Sequence, residues 1–358
     1  MERRKLFSLA IVGSLVGLSA ISAQADAGTN SFKQTNLVSN VPGMAQFTDP
    51  DLVNPWGISA SSTSPMWVSD NGAGVTTLYG GGGVKVPLTV TIPPAGNSPA
   101  GTLGTPTGTV FNGSAAAFRG DRFIFATEDG AIAGWQPAYG TTALIGKDNS
   151  PTGAVYKGLA IDNSASPHLY ATNFHAGTID VFDSGYAQVT LAGAFSDPKI
   201  PADYAPFNVQ NLGGTLYVTY ALQDADKHDD VAGRGHGFVD AFDVNGNLLG
   251  RLVTHGQLDS PWGLAIAPAS FGRFAGELLV GNFGDGRINA YTLDKGNFRG
   301  WLRDMSTGGP ITIDGLWALR VGNGGAAPNG GDPNAVYFTA GINGEQDGLF
   351  GTIKSADS

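Results

Sequence analysis

The stretch SPWGLAIAPASFGRFAGELLVGNFGDGRINAY, residues 260–291, decides the fold of this 358-residue chain. Its opening, SPWGLAI, is an apolar run built around one small residue. Comparable runs recur as NPWGIS at 54–59, TPTGTVF at 105–111, VYKGLAI at 155–161, APFNVQN at 205–211 and DGLWALR at 314–320. The recurrent position falls at Gly57, Gly108, Gly158, Asn208, Gly263 and Ala318, at intervals of 51, 50, 50, 55 and 55 residues. A period this regular identifies an internal repeat present six times.

Each repeat continues with a second alternating run that ends in turn residues. These runs are MWVSDNGAG, FIFATEDGA, LYATNFHAG, LYVTYALQD, LLVGNFGDG and VYFTAGING. A third run follows at once (TTLYG, AIAGWQ, TIDVFD, FVDAFD, RINAY, GLFGTI), and looser fourth runs such as KVPLTVTI and GNLLGRLV complete the unit. Period-two runs punctuated by Gly, Asn and Asp are strands joined as hairpins. Four antiparallel strands in about fifty residues make one blade, so the chain is predicted to be all-β, a six-bladed β-propeller. The sixth repeat is one strand short, while SFKQTNLVS at 31–39 precedes the first. The N-terminal run is therefore expected to supply the outer strand of the last blade and close the ring. Innermost strands crowd the axis, which explains the small recurrent residue; Asn208 departs from that rule and implies a wider local gap.

The residues NPWGIS, WVSDNG, FIFATEDG, YKGLAI, QDADKHDDVAG and SPWGLAIAP with LLVGNFGDGRINAY resemble a family of uncharacterised exported bacterial propeller proteins, some with PEP-CTERM sorting tails. The resemblance spans residues 32–353 and implies fold and export but no activity. The ending LFGTIKSADS does not match the apolar sorting tail. The repeats are also similar to NHL-type repeats, which implies an interaction surface.

Residues 1–25 read as a signal peptide: a basic start (Arg3, Arg4, Lys5), an apolar run from Leu6, and Ala23-Gln24-Ala25 as a cleavage site. Residues 26–358 are then one propeller domain, secreted or periplasmic, with no membrane span and expected to be a monomer. Cleavage near Ala25 leaves 17 basic against 29 acidic side chains, a net charge of −12. That balance excludes nucleic acid as a natural partner. The absence of cysteine removes disulfides, Cys-zinc sites and thiol nucleophiles. An exported chain without disulfides must rely on its core, which a chain of this size can supply.

Strand alternation places the entries to the inner strands and the loops between second and third strands at one end of the ring. Candidate binding residues there are Asn54, Trp56, Lys157, Phe207, Trp262 and Trp317 from the entries. Asp70, Asn71, Glu128, Asp129, Asn173, His175, Asn282, Asp285, Asn343 and Glu345 come from the loops, and Asn208 from the strand beneath. The fourth repeat has an elongated, charged loop, QDADKHDDVAGRGHG at 223–237, expected over the channel mouth. Three readings of it stay open. It is a solvated acidic loop; or Asp224, Asp226, His228, Asp229 and Asp230 hold Ca²⁺ or another divalent cation; or carboxylates converge there for metal-dependent hydrolysis, as in six-bladed lactonases. The D-x-D-x-x-D-D spacing lacks the Gly and Glu of an EF-hand loop. The tryptophans either pack between blades or stack on a flat ligand, and Lys157 either pairs with the acidic loops or acts as an electrophile.

No G-x-S-x-G, H-E-x-x-H or Walker A pattern is present, and GGGG at 80–83 reads as a hairpin turn. The sequence thus predicts a module that binds a small ligand or an extracellular protein or polysaccharide. A metal-dependent hydrolase or lactonase at the channel is the alternative.

Overall fold

An extended strand with a glycine at its centre can approach another backbone more closely than any other, and four of the six strands that surround one axis are of this kind, the other two carrying Asn208 and Ala318 at that position. A computed structural model describes residues 29–162 and 164–356; the leader expected over residues 1–25 lies outside them. The inner strands are Pro55–Ser59, Pro106–Phe111, Tyr156–Ile161, Tyr204–Leu212, Pro261–Ile266 and Leu316–Val321, and each contacts the next, with the sixth returning to the first. A Cβ added at Gly108 would lie 2.3 Å from the Leu159 nitrogen, and one at Gly57 2.6 Å from the Thr107 carbonyl. The register of each inner strand against its neighbour slips at or beside the recurrent position, so the six share a bulge there.

Five blades are four-stranded antiparallel sheets in chain order. In the sixth, Phe32–Ser39 pairs antiparallel with Leu349–Ser355, from Phe32 opposite Ser355 to Ser39 opposite Leu349, as the sequence predicts. The short strand Phe47–Thr48 lies parallel to it. The fold is therefore a six-bladed β-propeller closed by its N-terminal strand, and among the described residues helix is limited to short 3₁₀ turns. No helix of the described residues is long and apolar enough to cross a membrane.

Six hydrophobic clusters hold the ring, broadly one between each pair of adjacent blades. A polar seam runs around the bulges. Thr107 Oγ1 donates to the Tyr156 carbonyl at 2.8 Å, Thr172 Oγ1 to that of Phe207 at 3.2 Å, and Thr339 Oγ1 to that of Trp56. In the fourth blade Asn208 takes this role: its Nδ2 donates to the Trp262 carbonyl at 2.7 Å, while its Oδ1 accepts from the Val209 N–H. An amide at the glycine position thus reaches one blade further than glycine could. These buried bonds satisfy carbonyls that the bulges detach from the ladder.

Candidate functional site

Aromatic residues close the loop-bearing end of the axis. Trp56 and Trp317 stack with ring centres 3.5 Å apart, and Phe283 stacks on the other side of Trp317 at 4.0 Å. Trp262 meets both tryptophans edge-on at 6.1 and 5.7 Å. All three indoles are buried, and Trp262 Nε1 donates to the Lys157 carbonyl at 3.2 Å. Packing accounts for these rings; their faces are covered by one another and by Phe207 and Phe174.

Above this plug runs a chain of polar groups contributed by five blades. Asn54 starts it. Its backbone is in the left-handed region at φ 45°, which asparagine tolerates better than most residues. Asn54 Oδ1 accepts from Trp317 Nε1 at 3.0 Å, and its Nδ2 donates to Glu345 Oε2 at 2.7 Å and lies 3.4 Å from Asn71 Oδ1. Asn71 Nδ2 donates to Glu128 Oε2 at 2.7 Å. Glu128 Oε1 accepts from Lys157 Nζ at 2.5 Å, and the same ammonium donates to Asp229 Oδ1 at 3.1 Å. His228 Nδ1 completes the chain, 2.9 Å from Asp229 Oδ1.

Lys157 is 1% exposed, and its ammonium lies 5.2 Å from the centre of the Trp56 ring. Burial works against its charge, but Glu128 and Asp229 outweigh that and hold its pKa above the ordinary lysine value. A lysine held so firmly protonated is not poised as a nucleophile. The His228 hydrogen bond and the nearby ammonium hold the Asp229 carboxyl well below the usual range. Asp229 in turn raises His228, and burial raises Glu345 despite its bond from Asn54. The arrangement offers acceptors on Glu128, Asp229 and Glu345 and an exposed imidazole on His228, around one internal cation.

The charged loop does not act as a unit. Asp224 Oδ1 accepts from the His228 N–H at 2.9 Å and shapes the turn, Asp226 is exposed, and Asp230 is partly buried, with burial raising its pKa. Among the described residues, the group whose ligand atoms all lie within 4.8 Å of one another is Glu128, His228 and Asp229. Only two of the five loop residues proposed from sequence as metal ligands belong to it.

Several other sequence candidates are taken up by hairpins and by loops between blades rather than by the polar chain over the axis. Asp70 is fully buried and accepts from the Thr77 N–H and hydroxyl at 2.9 and 2.8 Å, inside the first blade. Asp129 Oδ2 accepts from the Ala95 N–H at 2.7 Å and the Ser98 hydroxyl at 2.8 Å. Asn173 donates to Asp180 at 3.1 Å and accepts from the Val155 and Ala176 N–H groups. Asn282 donates to the Gln257 carbonyl at 2.8 Å and to Asp285 at 2.9 Å. His175 is exposed at its loop tip, and Asn343 donates to Asp347 at 2.8 Å.

A six-bladed β-propeller with a polar, carboxylate-bearing cluster over one plugged end of its axis is the class that fold and site define. No protein-family model matches the chain. It is 34% identical over 334 residues to the uncharacterised protein R648 of Acanthamoeba polyphaga mimivirus, covering 90% of this chain and 80% of that protein. It is also 34% identical over 340 residues to the uncharacterised protein L690 of the same virus, covering 90% of this chain and 86% of that one. The chain belongs to the family of these proteins. A solved structure of a protein of unknown function from Bacteroides thetaiotaomicron shares the fold, with a TM-score of 0.56 at 11% identity over 90% of this chain and 76% of that one. The relatives R648 and L690 are viral, where the sequence motifs lead to the expectation of bacterial relatives.

Proposed function

We propose that this protein is an exported ligand-binding propeller that holds a small polar ligand, bearing hydroxyl or ammonium groups, at the carboxylate cluster over the plugged end of its axis. One observation carries the reading: the Lys157 ammonium bonds both Glu128 and Asp229, so the position a metal ion would take between them is filled by a cation of the chain's own. With that charge met internally, the remaining acceptor capacity of Glu345, Glu128 and Asp229 and the imidazole of His228 serve recognition. Export rests on the leader pattern of residues 1–25, and mass spectrometry of the protein recovered from outside the cytoplasm would find a chain starting near Asp26.

The test is calorimetric titration of the mature protein with simple sugars and with a diamine. Saturable binding that is lost in Asp229→Asn and in Glu345→Gln supports the reading. No binding of either probe class refutes it. A second reading, metal-dependent hydrolysis, is favoured by the convergence of Glu128, His228 and Asp229: three protein ligands leave a position for water on a bound ion. Stoichiometric zinc or manganese on the unmodified protein, retained through dialysis and accompanied by ester or lactone hydrolysis, would establish that reading and displace the first.

A further inference from the structure

Beneath the tryptophan plug the axis opens into a cavity of about 230 Å³. Its walls are the inner strands of five blades, from Gly57–Ala60 around to Ala318–Arg320, with Trp262 of the remaining blade. The wall is mixed and more polar than apolar, with Ile58, Val110, Leu159, Val209 and Leu319 supplying its apolar part. Exposure rises at the last residues of these strands, Phe111, Ile161 and Asn211 among them, so the cavity communicates with the face opposite the charged loop.

One charged side chain, Arg320, lines this cavity. It occupies the second position after the recurrent small residue, where the other blades carry Ser59, Val110, Ala160, Gln210 and Ala265. One of its terminal nitrogens donates to the Ala60 carbonyl at 3.1 Å, while its Nε is buried and has no partner. Among the described residues Arg320 makes no ion pair. Burial alone pulls its pKa down to about 10, with no acidic neighbour to restore it. A guanidinium whose Nε is buried without a partner, and which has no counter-charge nearby, is costly unless an anion completes it.

We infer that the lower half of the central channel is an anion site, in which Arg320 takes the carboxylate of a small organic acid and the surrounding aliphatic side chains cover its short apolar body. The planar guanidinium matches a carboxylate in a forked pair, and the aliphatic part of the wall favours a short organic chain over a bare inorganic ion. Gln210, which also lines the cavity, supplies a further amide donor. This site is independent of the carboxylate cluster at the other end of the axis, and it would stand if the ligand proposed there were never found.

The probes are sodium butyrate and sodium phosphate at matched ionic strength against a chloride control, read by thermal unfolding and isothermal titration on the mature protein. The expected result is a saturable stabilisation by butyrate that exceeds phosphate. It is lost in Arg320→Gln, weakened in Gln210→Ala and unchanged in Asp226→Asn on the opposite loop. Arg320→Gln removes a buried uncompensated charge and is expected to fold; should it not, Arg320→Lys keeps the charge, loses the fork, and is expected to weaken butyrate at least about tenfold. Equal shifts with butyrate and phosphate, no shift with either, or a butyrate shift that survives in the Arg320 variants overturns the inference.

Discussion

Replacing Lys157 by methionine tests whether the lysine is the resident cation of the carboxylate cluster. The side chain keeps its length, but two carboxylates lose their shared partner. Ligand oxygens of Glu128 and Asp229 lie within 4.8 Å of each other. At that separation two unit charges repel by about 3.5 kcal/mol at an effective dielectric of 20 and by about 1 kcal/mol in bulk water. The Asp229 side chain is 65% exposed and the Glu128 side chain 14%, so the true repulsion lies between these limits. Adding the stranded, poorly solvated Glu128 gives an expected loss of about 2–4 kcal/mol. For a chain of this size that corresponds to roughly 3–6 °C in Tm. The assay is thermal unfolding in chelator and then with manganese or zinc. Lys157→Met should melt lower than the parent in chelator and regain part of the loss with metal, because Glu128, His228 and Asp229 are then free to bind an ion. The parent should respond less. An unchanged Tm in chelator, or a metal response equal to that of the parent, would refute the reasoning.

Further outcomes follow from other parts of the ring. Burial and the neighbouring Asp197 push the Asp240 carboxyl up to about 7, so the folded state keeps a proton that the unfolded chain releases near pH 4. This group's contribution is therefore full below about pH 4 and lost as pH rises to 7, by up to about 4 kcal/mol; Asp240→Asn should flatten that slope in urea unfolding at pH 5 and pH 8. Gly108→Ala drives a methyl to 2.3 Å from the Leu159 nitrogen, and denaturant unfolding should register a loss of about 1–3 kcal/mol or more; a neutral result would mean that the inner strands are not in contact. Asn208→Ala strands the Trp262 carbonyl and should cost about 1–3 kcal/mol by the same assay. Deleting residues 26–40 removes the strand paired along Leu349–Ser355 and should lower Tm far beyond a terminal trim.

The architecture was legible because it rests on local features that repeat. Alternating runs, turn residues and a small residue every fifty positions are enough to count blades, and the strand missing from the last repeat identifies the role of residues 32–39. The site was legible as an end of the molecule and in the pairing of Lys157 with the acidic loops, but not in its particular partners. That Lys157 of the third blade would bridge Glu128 of the second and Asp229 of the fourth depends on how blades pack, and the bridged residues are 29 and 72 positions away in sequence. Asp70, Asn173 and Asn282 show the converse. They occupy equivalent loop ends, yet the side chains of Asp70 and Asn173 are taken by their own hairpins, and that of Asn282 by Asp285 of its own loop and the Gln257 carbonyl of the chain entering the blade, before any of them meets the polar chain over the axis. Arg320 was present in DGLWALR from the start. Its signal lay in comparing the second position after the small residue across repeats, where no other blade carries a charge.

The pairing of Phe32 with Ser355 also bears on how the molecule forms. Most contacts in the ring are made within a blade or with the next one and can assemble as the chain lengthens. The closing strand is the exception: its partner is synthesised last, so the loop to be closed spans nearly the whole chain and its entropic cost comes due at one step. Until then, residues 32–39 and 349–355 are two exposed edges on an open arc. Two such arcs on neighbouring molecules could each accept the other's first strand, and high concentration during refolding should therefore favour exchanged dimers over closed monomers.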